Sequence, residues 1–133
     1  MSLVRLLPAW LHAIADYAVG LSLIVVALAV HASTGATATG VVVGATVLAV
    51  SMLTRYPLGV VKVLPFTVHS AGDYLAAIVL LAAPFALNFA SGDPALTFFY
   101  VVAGVAVLAV SLITNYQFSP RRQATQPAWQ YSG

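Results

Sequence analysis

Two pairs of residues in this 133-residue chain combine types and spacing that can do chemistry: His12 with Asp16, and His69 with Asp73. Residues four apart lie on one face of a helix, so each imidazole would sit beside a carboxylate. Imidazole titrates near neutral pH and ligates metals, and a carboxylate accepts protons and binds cations. Tyr17 and Tyr74 follow the two aspartates and complete the candidate polar cluster with phenols. One turn further along each face come Gly20 and Ala77, small enough to let another helix approach.

The elements that carry these pairs follow from composition. Hydrophobic residues make up 62% of the chain and charged residues 6%. Soluble domains carry roughly 25% charged residues, and a soluble fold could not hide this much apolar surface, so lipid is the expected solvent. Four apolar runs, about 6–30, 36–53, 68–89 and 96–113, approach the ~20 residues that span a bilayer core. Turn-forming residues separate them: His31-Ala32-Ser33-Thr34-Gly35, Thr54-Arg55-Tyr56-Pro57-Leu58-Gly59 and Ser91-Gly92-Asp93-Pro94. His31 is expected to be solvated in its turn. Residues 117–133 are polar and rich in Gln, Pro and Arg, and read as a flexible cytoplasmic tail. The first run imitates a signal peptide, but Asp16 interrupts its apolar stretch and the segment recurs later in the chain.

The five basic residues set orientation. Arg5 precedes the first run, Arg55 and Lys62 lie between the second and third, and Arg121 and Arg122 follow the fourth. If all four runs span, these anchors share one side, and the positive-inside rule makes both termini cytoplasmic in an inner (plasma) membrane protein. Tyr56, Phe66, Tyr116 and Phe118 are then expected near that interface, and Phe89, Phe98, Phe99 and Tyr100 near the other.

The chain also repeats itself. At an offset of 57, Arg5 matches Lys62, Pro8 matches Pro65, His12 matches His69, Asp16 matches Asp73 and Tyr17 matches Tyr74. At an offset of 60, Gly44 matches Gly104, Ser51 matches Ser111, Thr54 matches Thr114 and Tyr56 matches Tyr116. Coincident Pro, His, Asp and Tyr are hard to obtain by chance. The expected fold is therefore all-α: four transmembrane helices from a tandem, parallel duplication of one helical hairpin, residues 1–59 and 60–116. Gly40 and Gly44 form a GxxxG on the second helix, a packing face whose counterpart to Gly40 is Tyr100. Gly104 is a further packing position.

Counted from Pro8 at ~1.5 Å per residue, Asp16 lies about 12 Å along its helix. An ionised carboxylate facing lipid there would cost several kcal/mol, so both pairs must face the bundle interior and converge near the pseudo-twofold axis. Four roles are open to the converged set. It could be polar glue between helices, a proton or ion pathway, a metal site made by His12, Asp16, His69 and Asp73, or a bis-His haem site with Arg5 and Lys62 near the propionates. The aspartate one turn from each histidine counts against haem. No cofactor is called for by any motif. The absence of cysteine and glutamate, with no nucleophile elbow or phosphate loop, leaves hydrolytic catalysis little to work with. A net charge of +2 is too small for a nucleic-acid partner.

The segment Thr54-Arg55-Tyr56-Pro57-Leu58-Gly59, then Val61-Lys62-Val63-Leu64-Pro65, then His69 to Asp73 resembles the linker and helix start of the SPW-repeat membrane proteins. Ala83-Pro84-Phe85 stands where that family's Ser-Pro-Trp is expected, and Val26-Ala27-Leu28 in the first repeat lacks the proline. The resemblance covers roughly 4–116 and implies a four-helix membrane fold with no established activity. The expected function is accordingly a non-enzymatic accessory or scaffold subunit, or a small homo-oligomer, with proton or ion translocation as the alternative. The expected partners are the lipid bilayer and a larger membrane complex or further copies of the chain.

Overall fold

The computed structural model describes residues 6–114. The anchors Arg5, Arg121 and Arg122, the aromatic residues Tyr116 and Phe118, and the tail 117–133 lie outside them. The described residues form an all-α bundle of four helices, α1 (Ala9–Ala29), α2 (Thr34–Leu53), α3 (Phe66–Ala86) and α4 (Pro94–Ile113). Each is long and apolar enough to cross a membrane. Twenty-one residues rise about 32 Å, which matches a hydrocarbon core of about 30 Å. The outer faces suit lipid: Leu21, Val25, Leu28, Val42, Leu75, Ile78, Phe98 and Val102 are all exposed.

The helix ends sit a few residues from the apolar runs, for local reasons. The second helix begins at Thr34, inside the expected turn, because the Ser33 hydroxyl caps it by accepting from the Ala36 N–H. Pro94 starts α4 at its first position, where a missing N–H costs nothing. The third helix stops at Ala86, short of Phe89. The helix runs through Pro84, and its end is set where Asn88 takes φ 57°. The Phe89 N–H returns to the Pro84 carbonyl at 3.0 Å and the Asn88 N–H to the Phe85 carbonyl at 3.3 Å, which closes the helix as a Schellman motif.

Packing divides into two tight hairpins, α1 with α2 and α3 with α4, which lean on each other through α2 against α3 and α1 against α4. Gly20, Gly40 and Gly44 are buried between α1 and α2, so the GxxxG is used within the chain. Gly104 does the same work against Ala77 and Leu80 of α3. The departure from the repeat at Gly40 and Tyr100 is complementary. The Tyr100 hydroxyl occupies the space that Gly40 leaves and donates to the Ala36 carbonyl at 2.6 Å. Leu23, Leu80, Phe89, Leu96 and Tyr100 form the apolar core of this half of the bundle.

Both ends tie the hairpins together. At one end the Leu7 N–H reaches the Ile113 carbonyl at 2.8 Å, and the Leu64 N–H reaches the Leu53 carbonyl at 2.8 Å. These two bonds correspond at the offsets of 57 and 60, and each satisfies an orphan carbonyl at a helix C-terminus. At the other end the Ser33 hydroxyl donates to Asp93 Oδ2 at 2.6 Å, and the Ser33 N–H faces both Asp93 oxygens at 3.3–3.4 Å. Asp93→Ala should therefore loosen that end. Because the latch is exposed, the expected loss is about 1 kcal/mol, read as a small fall in melting temperature in detergent.

Candidate functional site

The site forms where α1 and α3 start and where α2 and α4 finish. Pro8 and Pro65 set the entry of α1 and α3, and each histidine lies one turn inside, its N–H on the proline carbonyl at 3.1–3.2 Å. Because α1 and α3 face each other here, His12 and Asp16 meet His69 and Asp73. His12 Nε2 is 3.3 Å from Asp16 Oδ2 and 3.0 Å from Asp73 Oδ2. His69 Nε2 is 2.9 Å from Asp16 Oδ2 and 3.0 Å from Asp73 Oδ1. The two rings meet edge to face with centroids 5.5 Å apart. All four residues are buried, His12 and His69 to within 1–2% exposure. Each offers one ligand atom, and these atoms lie within 4.8 Å of one another.

The far sides of the imidazoles fix their tautomer. Thr54 Oγ1 lies 2.7 Å from His69 Nδ1 and 2.6 Å from the Val50 carbonyl. A hydroxyl has one proton. Two oxygens at 2.6 Å require it between them, so Thr54 donates to Val50 and accepts from the His69 Nδ1–H. Thr114 repeats this arrangement, 2.7 Å from His12 Nδ1 and 2.5 Å from the Val110 carbonyl. Both histidines therefore hold a proton on Nδ1 and present Nε2 to the carboxylates.

An aromatic lid closes the end of the bundle over the site. The Phe66 ring stands edge-on to His12 at 5.4 Å and to His69 at 5.7 Å. The Tyr56 ring packs on Phe66 at 5.3 Å and His69 at 5.4 Å. The Tyr56 hydroxyl donates to Asp16 Oδ2 at 3.2 Å. Burial, helped by the Asp16 charge, pushes the Tyr56 phenol above its ordinary value, so it stays a donor. Tyr56 and Phe66 thus belong to the site's inner wall, although as aromatic residues near a membrane interface they read as surface belts. Thr114 was visible in the sequence only as a match at the offset of 60, and Thr54 only as that match and as a linker residue.

The remaining candidates are placed elsewhere. Tyr17 is half-buried, and its hydroxyl donates to the Leu58 carbonyl at 2.8 Å, tying α1 to the loop. Tyr74 is half-buried next to Asp73 and is not among the four convergent residues. Gly20 and Ala77 lie buried one turn beyond the aspartates, in the hairpin interfaces. Arg55 and Lys62 are exposed in the loop at the cluster's end, where the Arg55 Nε–H donates to the Lys62 carbonyl at 3.1 Å. His31 is exposed at the other end. A cavity of about 260 Å³ between α2 and α3, walled by Val43, Val47, Val50 and Ala76, reaches His69 and Asp73.

Fold and site together define a four-helix bundle of membrane-spanning length with a buried two-histidine, two-aspartate centre. Comparison with protein-family models, with curated proteins and with solved structures returns no match for this chain.

Proposed function

We propose that the protein is a multi-pass inner-membrane scaffold or accessory subunit, with both termini cytoplasmic, whose His/Asp centre welds two duplicated hairpins into one unit. One observation carries this reading: each histidine has its shorter carboxylate contact and its threonine hydrogen bond on the opposite hairpin. His12 on α1 reaches Asp73 on α3 and Thr114 at the end of α4, while His69 on α3 reaches Asp16 on α1 and Thr54 at the end of α2. The matching of these bonds at offsets of 57 and 60 supports the duplication, and the resemblance to SPW-repeat proteins agrees with it. Arg55 and Lys62 at the cluster's end support a cytoplasmic location for that end. Exposed apolar side chains along all four helices suit lipid, further copies of the chain or a larger membrane complex.

A second reading, in which the centre passes protons or ions, is supported by the buried carboxylate–imidazole pairs themselves, which are the parts of a proton relay. Asp16→Asn with Asp73→Asn separates the two in liposomes under an imposed proton or cation gradient. As a weld, the wild type gives background flux, and the double variant melts earlier or changes its assembly on a sizing column. A wild-type flux that the double variant abolishes without loss of fold would replace the scaffold with a translocating unit.

A further inference from the structure

We infer that His12, Asp16, His69 and Asp73 form a site for one divalent transition-metal ion of the zinc class. This goes beyond the weld proposed above, because it assigns the centre a ligand, and it depends on neither membrane orientation nor partner.

The donor set comes first. Two imidazole nitrogens and two carboxylates suit zinc-class ions, whereas calcium and magnesium prefer oxygen alone and copper(I) prefers sulfur. Two carboxylates also neutralise a dication, so the loaded site carries no net charge into a dry interior. Geometry agrees. Bonds of about 2.0–2.1 Å in a tetrahedron give ligand–ligand edges of about 3.3 Å. The four His–Asp N···O separations are 3.3, 3.0, 2.9 and 3.0 Å, with the two histidines facing different oxygens of Asp73. One ligand atom from each residue lies within 4.8 Å of the others, so small side-chain adjustments that open the short edges and close the long ones gather the tetrahedron.

The direction of the imidazoles is the independent observation. His69 Nε2 is buried and within 3.0 Å of both carboxylates, yet it bears on neither at a hydrogen-bonding angle. That leaves a buried nitrogen beside two carboxylates with no hydrogen-bond acceptor of its own, as a metal ligand would be. The hydrogen bonds from Nδ1 to Thr54 and Thr114 supply what metal-ligating histidines need behind them. They hold the ring in place and commit Nδ1 to its proton, which leaves the Nε2 lone pair for the ion. Four protein ligands complete a tetrahedron, the form of a structural rather than a catalytic zinc site.

The test uses the full chain in mild detergent, stripped with a chelator and titrated with zinc and, as a spectroscopic probe, with cobalt(II). The expected result is about one ion per chain and the intense visible absorption of tetrahedral cobalt. His69→Ala should abolish that absorption. Thr54→Val, which keeps all four ligands, should weaken binding by about tenfold or more. His31→Ala should bind as the wild type does. Less than half an equivalent bound by the wild type, octahedral cobalt absorption, or equal binding by a folded His69→Ala chain would overturn the assignment. The wild-type stoichiometry decides even if His69→Ala fails to fold. Because this titration involves no gradient, a metal-free centre would leave the weld standing, and a flux would count against the weld alone.

Discussion

Gly44→Leu should prevent α1 and α2 from closing, and Gly44→Ala should already lower the stability of the detergent-solubilised protein by about 1–3 kcal/mol. A Cβ at Gly44 would stand 2.6 Å from the Gly20 carbonyl oxygen and 2.8 Å from Ile24 Cγ1. The first of these is backbone and cannot rotate away, so the two helices must move apart. Alanine gains about 1 kcal/mol over glycine in helix propensity, which offsets only part of that cost. Gly104 marks the corresponding crossing of α4 on α3, but a Cβ there meets Leu81 Cγ at 2.9 Å and the Ala77 carbonyl oxygen at 3.2 Å. Leu80 Cβ lies at 3.2 Å as well, and these neighbours can give by a few tenths of an ångström more readily than the Gly20 backbone, so Gly104→Ala is expected to destabilise the chain, but by less than Gly44→Ala. Gly72 has open space where its Cβ would be. Gly72→Ala should therefore stabilise the chain by up to about 1 kcal/mol. Thermal or detergent titration of the three variants reads the order directly. Equal effects at Gly44 and Gly72 would mean that α1 and α2 do not cross at Gly44.

That asymmetry marks the limit of what the sequence made legible. Apolar runs and turn residues specify four membrane-length helices, because in lipid the backbone has few alternatives to a helix. The cost of an ionised aspartate facing lipid forces His12, Asp16, His69 and Asp73 inward, and the shared offset makes them meet. The finer parts depend on side-chain direction, which residue type alone does not give. Tyr56 and Phe66 have the composition of an interfacial belt, but the loop 55–65 folds them back over the imidazoles. Tyr17 has the composition of a cluster member, yet its position next to Asp16 turns it by about 100° around the helix, toward Leu58. Thr54 and Thr114 read only as matches within the repeat, Thr54 also as a turn residue, with no chemistry assigned. Their role follows only from the parallel bridges, which hold the ends of α2 and α4 beside the starts of α3 and α1. The Gly40 and Tyr100 positions look like a failure of the repeat until the Tyr100 hydroxyl is seen occupying the room that Gly40 leaves.

Asp16→Ala should cost about 3–5 kcal/mol when measured without metal, the range for breaking a buried ion pair from one side. Its Oδ2 faces His69 Nε2 at 2.9 Å, His12 Nε2 at 3.3 Å and the Tyr56 hydroxyl at 3.2 Å, and all three lose that partner at once. Water cannot replace it easily beneath the Phe66 and Tyr56 rings. The informative measurement is the double-mutant cycle of Asp16→Ala with His69→Ala. The two residues lie on different hairpins, so a coupling of about 1–3 kcal/mol is expected if the contact is made in the assembled bundle. The double variant should then cost less than the sum of the singles, because no buried charge is left without its counterpart. Asp16→Ala with His31→Ala gives the reference, since His31 is exposed at the opposite end and should add independently. Strict additivity in the Asp16 and His69 cycle, measured by unfolding in mixed micelles, would show that α1 and α3 do not bring the two side chains together. The weld and the metal site would then lose their shared geometry.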